Sequence, residues 1–378
     1  MSNTYRQPIQ ITVANKLAVL KAQLPTKAKQ FLREKLFILN SEYIIKERLG
    51  KPLYDTPKFF DLLEEESPYI LLPKGFLAQL TAFLDKEEYP YEVTYRYPAF
   101  VPMGFKSTIT LYSEQETVVA TALEAGEGII VAPPGRGKSL MGLELIARHD
   151  KPALILTHRK QLMDQWVQHI QEYLGLPKKQ IGRFSSSYKK PSDYVTVGLL
   201  QSFARAKDIG AMADAFGVII IDECHHIPAR TFRAVISQFT APHIYGLTAT
   251  PKRKHNDEQL IYLYIGGVVA TMKRAATTTR QTNSPAITVR DTTLQLPFSW
   301  KSDQTELLAK VICYDTTRNQ QIVHDILNRS GAGKKILVLS ERKEHLHILE
   351  LYLRGHVKTI VFSGDDSAVQ NGQLRDSA

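Results

Sequence analysis

Five short apolar runs between residues 128 and 247 constrain the fold more than any other feature of the sequence. They lie at residues 128–131, 153–156, 195–199, 218–221 and 244–247. Each run is too short for a helix, and its consecutive apolar positions are typical of strands covered by helices on both faces of a parallel sheet. Helical patterns, such as residues 140–148 and 160–174, lie between the runs. The sequence therefore predicts a doubly wound α/β layer.

The composition indicates a folded, water-soluble protein. Hydrophobic residues make up 43% of the 378 residues and charged residues 23%, as in ordinary globular domains. No apolar run reaches the roughly 18 residues of a membrane helix, and the first residues lack the layout of a signal peptide. With only two cysteines, a disulfide framework is excluded. We expect a cytoplasmic protein with no membrane partner, and the dispersed net charge of +10 favours a polyanionic partner.

The segment after the first apolar run is typical of a phosphate-binding loop. Residues 132–139 read Ala-Pro-Pro-Gly-Arg-Gly-Lys-Ser and stand between a predicted strand and a predicted helix. Glycines let backbone N–H groups point at phosphates, and the lysine reaches the β and γ oxygens while the serine binds Mg²⁺. The strict form of this motif has glycine where Ala132 stands. The predicted nucleotide-binding residues are Pro134, Gly135, Arg136, Gly137, Lys138 and Ser139.

Two carboxylates follow the fourth apolar run. Asp222 and Glu223 come directly after it and are followed by Cys224 and His225. At the carboxyl end of a parallel strand, Asp222 can hold Mg²⁺ and Glu223 can orient and deprotonate an attacking water. Together with Lys138, these residues predict a nucleotide-hydrolysing site.

A third polar segment follows the fifth apolar run. It reads Thr248-Ala249-Thr250, and we expect its hydroxyls at the same sheet edge as the two preceding segments. They could link the γ-phosphate site to movement of a second lobe. Taken alone, such a segment is also typical of an ordinary loop.

In this order the three segments resemble the first RecA-like lobe of superfamily 2 helicases of the DEAD/DEAH type. Residues 222–225, Asp-Glu-Cys-His, correspond to the DEAD/DEAH box of that family. The sequence is most similar to XPB-like and phage DNA translocases and to motor subunits of restriction enzymes, over residues 110–365. The resemblance implies a RecA-like P-loop fold with ATP and Mg²⁺ as cofactors. It also implies a nucleic-acid partner, DNA rather than RNA, and a role for His225 with Thr248–Thr250 in transmitting the result of hydrolysis.

The resemblance assigns further residues. Gln115 stands where the family has a glutamine that hydrogen-bonds adenine, although Tyr112 and Glu114 replace the arginine and tyrosine of the family pattern. Other positions match residues that touch the nucleic-acid backbone, whose contacts set register without reading sequence. These are Thr157, Arg159, Gln201 and Ser202.

We predict four parts of the chain. Residues 1–95 form a front accessory domain with helices over 16–24 and 28–39. Residues 40–43, Asn-Ser-Glu-Tyr, and residues 71–75, Leu-Leu-Pro-Lys-Gly, resemble the leading domain of phage and mobile-element helicases, which implies a prokaryotic, phage or mobile-element origin. The tyrosines and phenylalanines of this domain could stack nucleic-acid bases, although aromatic residues at this density are more often part of a core. Residues 96–272 form the first RecA-like domain and residues 273–285 a linker. Residues 286–378 form a partial second RecA-like domain, with helices over 315–328 and 344–354 and strands over 335–340 and 358–362.

The sequence supports two hypotheses for function. The first is an ATP-dependent DNA helicase or double-strand DNA translocase of superfamily 2. The alternative is an ATP-binding nucleic-acid-binding protein without efficient hydrolysis, because the family's later arginine-bearing motifs would lie beyond residue 378. The sequence would then be a fragment or the product of a frameshifted or split gene, or a second chain would complete the second lobe. A small-molecule kinase is disfavoured, because the Thr-Ala-Thr segment would have no purpose there.

Overall fold

The structure is a computed structural model and describes residues 7–54, 56–206, 209–226, 229–250, 258–272, 287–294 and 305–362. The chain divides into two compact units, Met1–Thr278 and Thr279–Ala378. The predicted linker lies outside the described residues, and the predicted boundary near residue 95 falls within the first unit. Within the described ranges, no helix has the length and apolar character needed to cross a bilayer.

The front part of the first unit contains a five-stranded sheet in the order β5-β6-β2-β1-β7 and a separate two-stranded ribbon, β3-β4. Its elements are β1 (Ile9–Val13), β2 (Lys16–Leu20), α1 (Thr26–Leu36), β3 (Phe37–Leu39), α2 (Ser41–Arg48), β4 (Phe59–Asp61), β5 (Glu64–Glu66), β6 (Tyr69–Pro73), α3 (Leu77–Lys86) and β7 (Tyr91–Tyr95). The predicted helix over residues 16–24 was wrong. Leu17 and Val19 are buried at every second position, as in a strand with one face on the core. The helix predicted over residues 28–39 is confirmed up to Leu36, after which the chain continues as β3.

The rest of the first unit is built on an eight-stranded sheet in the order β11-β10-β12-β9-β13-β14-β8-β15. Neighbouring strands are parallel except in the β10-β11 pair. The five predicted strands are confirmed as β8, β9, β12, β13 and β14. The elements are α4 (Ser113–Ala125), β8 (Gly128–Val131), α5 (Lys138–His149), β9 (Ala153–Thr157), α6 (Lys160–Tyr173), β10 (Ile181–Phe184), β11 (Lys189–Lys190), β12 (Val195–Leu199), α7 (Leu200–Ala204), β13 (Val218–Asp222), α8 (Ala229–Ile236), β14 (His243–Thr248), α9 (Glu258–Ile265) and β15 (Val268–Thr271).

Apolar cores cover both faces of the eight-stranded sheet. One core contains side chains of α4, α5 and α6, among them Met141 and Trp166. The other contains side chains of α8 and α9, including Ile265, and continues into the front sheet at residues such as Leu17. All five residues of β13 are buried. This two-sided burial explains why the strands are apolar at consecutive positions.

A buried lysine ties the front sheet to the eight-stranded sheet. Lys74 follows β6 and is 3% exposed. Its Nζ lies 2.9 Å from Glu127 Oε2 and donates to the carbonyl oxygens of Ala241, at 2.7 Å, and Pro242, at 3.1 Å. Burial lowers the pKa of Lys74, and attraction to Glu127 opposes this shift. Because these acceptors directly precede β8 and β14, one ammonium group fixes the amino ends of both strands.

We expect the Lys74→Ala variant to lose about 3 kcal/mol of the free energy of unfolding, because the half-buried carboxylate of Glu127 and two carbonyl groups lose their donor. The control is Lys21→Ala, which removes an exposed ion pair with Glu65 and should change stability far less. Urea denaturation followed by circular dichroism measures both. Equal stability of the two variants would contradict the assigned role of Lys74.

Residues 287–294 and 305–362, the described part of the second unit, contain three helices, α10 (Thr305–Tyr314), α11 (Thr316–Gly331) and α12 (Lys343–Leu353). The predicted helices over 315–328 and 344–354 are confirmed as α11 and α12. The predicted strands over 335–340 and 358–362 were wrong, since neither segment forms a β-ladder with any described residue. A strand needs a partner for its backbone groups. Leu337 and Leu339, on the first of these segments, are 80% and 83% exposed.

Candidate nucleotide-binding and hydrolysis site

The parallel topology places the three predicted segments at one edge of the eight-stranded sheet. The phosphate-binding loop follows β8, Asp222 ends β13, and Thr248 ends β14, which lies between the other two strands. Adjacent strands are about 4.8 Å apart. The three segments are therefore neighbours in space although they are far apart in the chain.

The phosphate-binding loop has a backbone shape that depends on its glycines. Gly135 and Gly137 have φ angles of +76° and +75°, which residues with a Cβ rarely adopt. A Cβ on Gly137 would also lie 2.5 Å from Nε2 of Gln115. Lys138 and Ser139 begin α5, whose amino end carries partial positive charge. The loop thus joins a strand to a helix as the sequence predicts.

Lys138 connects the loop to the carboxylates of β13. Its side chain is 11% exposed, and its Nζ lies 3.3 Å from Oε1 of Glu223. The same ammonium donates to the carbonyl oxygen of Ala132 at 3.3 Å. Pro134 and Gly135 at the tip of the loop are exposed. The cation is therefore held inside the site, while the loop backbone stays open to a ligand.

Trp166 holds the carboxylate of Asp222 in place. Asp222 is 5% exposed, and its Oδ2 accepts a hydrogen bond from the indole Nε1 of Trp166 at 2.8 Å. Burial raises the pKa of Asp222, and the bond from Trp166 acts in the opposite direction. The periodicity of α6 predicts Trp166 only as a core residue, so sequence reasoning missed this contact. The available signal was that a buried indole N–H usually has a hydrogen-bond partner.

Glu223 combines an unusual backbone with an incompletely satisfied carboxylate. Its φ angle is +48°, a conformation that non-glycine residues adopt mainly where the surrounding structure enforces it, often at functional sites. Oε1 faces Lys138. The other oxygen, Oε2, is buried without a hydrogen bond from any described residue and lies 3.3 Å from Nδ1 of His225. Such an oxygen is suited to accept a proton from a bound water.

A line of contacts runs from Glu223 to the segment after β14. Nδ1 of His225 lies 2.7 Å from Oγ1 of Thr248, and that hydroxyl donates to the carbonyl oxygen of Thr250 at 2.8 Å. The backbone N–H of Thr250 donates back to Oγ1 of Thr248 at 3.2 Å. Thr248 is buried, whereas Ala249 is half-buried and Thr250 is exposed. The structure thus brings the predicted coupling residues together.

The residues at this edge fit a magnesium ion. A hydroxyl from Ser139 and carboxylates from Asp222 and Glu223 are the hard oxygen donors that Mg²⁺ prefers. The buried Oε2 of Glu223 has no donor among the described residues, and burial of Asp222 disfavours its charged form. A divalent cation or its water shell would compensate both carboxylates.

Part of this chain is similar to known proteins. Residues 108–253 match the family described as Type III restriction enzyme, res subunit. The chain is 32% identical over 165 residues to the DNA 3'-5' translocase XPB2 of Sulfurisphaera tokodaii, over 43% of this chain and 36% of that protein. Both similarities agree with the resemblance to XPB-like superfamily 2 helicases that the sequence motifs indicate. The chain is also 24% identical over 315 residues to a putative ATP-dependent RNA helicase of Acanthamoeba polyphaga mimivirus, over 79% of this chain and 57% of that protein.

A similar fold is also found among solved structures. The crystal structure of UvsW from bacteriophage T4 matches with a TM-score of 0.53 at 16% identity, over 98% of this chain and 78% of that chain. This similarity confirms the RecA-like α/β fold expected from the sequence. The chain spans less than two thirds of the length of either curated relative, 36% of one and 57% of the other.

Gln115 contacts the phosphate-binding loop. Its Nε2 donates to the carbonyl oxygen of Arg136 at 3.0 Å, and Glu114 forms an ion pair with the Arg136 guanidinium. The first turn of α4 therefore holds the loop through both the backbone and the side chain of Arg136. Sequence reasoning missed this role of Glu114.

The residues matched to nucleic-acid contacts lie at the carboxyl ends of the adjacent strands β9 and β12. Arg159 and Gln201 are exposed, and Nε2 of Gln201 donates to the carbonyl oxygen of His158 at 3.2 Å. Thr157 and Ser202 are buried. Their side chains are inaccessible to a ligand in this structure, so the exposed pair, Arg159 and Gln201, is the part of the predicted set that can reach nucleic acid.

Proposed function

We propose that this protein is an ATP-dependent DNA helicase or double-strand DNA translocase that couples ATP hydrolysis to movement on nucleic acid in the cytoplasm. The observation that carries the proposal is the continuous line of contacts from Lys138 to Glu223, then to His225, then to Thr248. This line joins the phosphate-binding loop to the segment that ends at Thr250. Hydrolysis alone needs no such connection, whereas a motor needs one.

The residues at this edge of the eight-stranded sheet have separate roles in hydrolysis. Backbone N–H groups of residues 135–139 and the ammonium of Lys138 bind the β- and γ-phosphates. Glu223 orients the attacking water and accepts its proton through the buried Oε2. Mg²⁺, held by Ser139 and Asp222, would neutralise phosphate charge when bound. Trp166 keeps Asp222 in position for this role.

Coupling follows from competition for Lys138. Its ammonium now lies 3.3 Å from Glu223, and a γ-phosphate would offer it a second anionic partner. Binding and release of that phosphate therefore change how Glu223 is held, and His225 carries the change to Thr248. A movement of Thr248 would also move Thr250, because the backbone N–H and carbonyl oxygen of Thr250 are both hydrogen-bonded to the Thr248 hydroxyl.

Nucleic acid would bind along the same sheet edge, beyond β13. Arg159 directly precedes α6, after β9, and Gln201 lies in α7, after β12. Contacts of this kind to phosphates position a nucleic-acid strand without reading its sequence. DNA is favoured over RNA because the XPB2 relative is named a DNA translocase, although the mimivirus relative is named an RNA helicase. The net charge of +10 suits a polyanion.

The proposal is tested by ATP turnover of the full chain with and without duplex DNA, together with DNA binding as a function of salt. We expect DNA to stimulate ATP turnover. The logarithm of the DNA-binding constant should fall linearly with the logarithm of the salt concentration, with a slope of about −0.9 for each phosphate contact. Arg159→Ala should weaken binding to all sequences alike and reduce the salt slope by about one. The control is Lys178→Ala, at an exposed position before β10 and thus at the opposite edge of the sheet.

The outcomes separate the two hypotheses for function. Turnover that DNA stimulates supports a motor. Binding of both ATP and DNA without turnover above that of the Glu223→Gln variant would instead identify an ATP-binding nucleic-acid-binding protein. A strong preference for one short DNA sequence that persists at high salt would contradict binding through the backbone.

A further inference from the structure

Both polar atoms of the Gln115 carboxamide form hydrogen bonds within the protein. Its Oε1 accepts from the backbone N–H of Tyr112 at 2.9 Å, and its Nε2 donates to the carbonyl oxygen of Arg136 at 3.0 Å. The residue is 4% exposed. Its Nε2 packs so closely on the loop that a Cβ at Gly137 would lie 2.5 Å away. A glutamine reads a nucleobase by presenting its donor and acceptor together, and here both face the protein.

Tyr112 presents an exposed aromatic side chain next to α4. It is 79% exposed and directly precedes α4. Its backbone N–H donates to Gln115, whose Nε2 donates in turn to the carbonyl oxygen of the loop residue Arg136. The neighbouring Glu114 is engaged by Arg136. Among the first residues of α4 and the one before it, Tyr112 therefore offers the accessible aromatic surface beside the phosphate-binding loop.

We infer that this nucleotide site discriminates only weakly between nucleobases, because Tyr112 contacts the base by stacking while Gln115 acts as a positioning residue for the phosphate-binding loop. The inference rests on the proposed function, since it concerns the nucleoside triphosphate that the loop would hold. A ring stacks on any of the four bases, because every base has a π-face. Discrimination between bases needs hydrogen-bonding groups dedicated to one of them.

The first test is calorimetric titration of the full chain with ATP, GTP, CTP and UTP in the presence of Mg²⁺. We expect the four dissociation constants to lie within about ten-fold of one another, since stacking tolerates every base. A site with dedicated hydrogen bonds rejects a wrong partner by about 10⁴-fold or more. A preference of 10²-fold or more for ATP over GTP would overturn the inference while leaving the proposed function intact. Failure of every triphosphate to bind would instead overturn the proposed function.

Variants separate stacking from positioning. Tyr112→Ala should lower the affinity for all four triphosphates by about five-fold or more. Tyr112→Phe should keep the affinity of the unchanged chain, because the ring and not the hydroxyl makes the contact. Gln115→Ala should weaken all four alike and leave their ratios unchanged, because it loosens the loop. Tyr188→Ala is the matched control, since Tyr188 is 49% exposed and lies beside β11 at the far end of the sheet.

Two results from these variants would overturn the inference. One is a Gln115→Ala variant that loses ATP affinity selectively, since this would show that the carboxamide reads adenine. The other is a Tyr112→Ala variant that binds all four triphosphates as the unchanged chain does. A melting curve of each variant verifies folding, and the four-base comparison of the unchanged chain decides the matter should Gln115→Ala fail to fold.

Discussion

Replacing Glu223 with glutamine is expected to reduce ATP turnover by about 10² or more while leaving ATP affinity nearly unchanged. The amide keeps the shape of the side chain but cannot take a proton from water. Oε2 of Glu223 is the buried oxygen that receives no hydrogen bond from the described residues, so its loss as a base is not offset by a neighbour. Steady-state turnover and calorimetric ATP binding of the same preparation measure the two quantities.

A matched substitution controls for loss of one carboxylate. Glu124 is exposed on α4, near the end remote from the phosphate-binding loop, so Glu124→Gln should leave turnover unchanged. If Glu223→Gln loses ATP binding together with turnover, Glu223 holds metal or structure and is not the base. The two roles of Glu223 must be separated because its contact with Lys138 also fixes the phosphate-binding loop.

The sequence predicted five of the eight strands of the larger sheet, because strands buried on both faces are apolar at consecutive positions. The five apolar runs are β8, β9, β12, β13 and β14, whereas β10, β11 and β15 were not predicted. The failures have a different cause. The apolar residues of the short segment 16–20 also fit a helical periodicity. The segment is a strand because it pairs with β1 and β6. Residues 335–340 have strand composition, but composition does not supply the neighbouring strand that a ladder requires.

The candidate site was predictable where chemistry and spacing are local. The loop, Asp222-Glu223 and Thr248-Ala249-Thr250 each follow an apolar run, and parallel topology alone brings them to one edge. Contacts between side chains far apart in the chain were not predictable. The hydrogen bond from Trp166 to Asp222 and the pairing of Glu114 with Arg136 depend on how α6 and α4 pack, which no local pattern encodes.

The Lys138→Ala variant is expected to bind ATP about ten-fold to 10²-fold more weakly and to lose measurable turnover. A charge-assisted hydrogen bond to a phosphate is worth about 1.5–3 kcal/mol, and this ammonium is the cation that α5 brings into the loop. The side chain is 11% exposed, so no bulk counter-ion replaces it easily. Calorimetry measures the affinity, and Lys178→Ala, an exposed lysine near the opposite edge, is the control.

The contact between Lys138 and Glu223 predicts how the two substitutions combine. Removing Lys138 alone leaves the Glu223 carboxylate without its partner at 3.3 Å, and this carboxylate then repels the triphosphate. The double variant Lys138→Ala/Glu223→Gln should therefore bind ATP more tightly than Lys138→Ala, since the uncompensated charge is gone. It should hydrolyse none. If the two substitutions weaken ATP binding additively, Lys138 and Glu223 do not interact in the nucleotide-free protein, and the coupling that begins at this pair would have to start elsewhere.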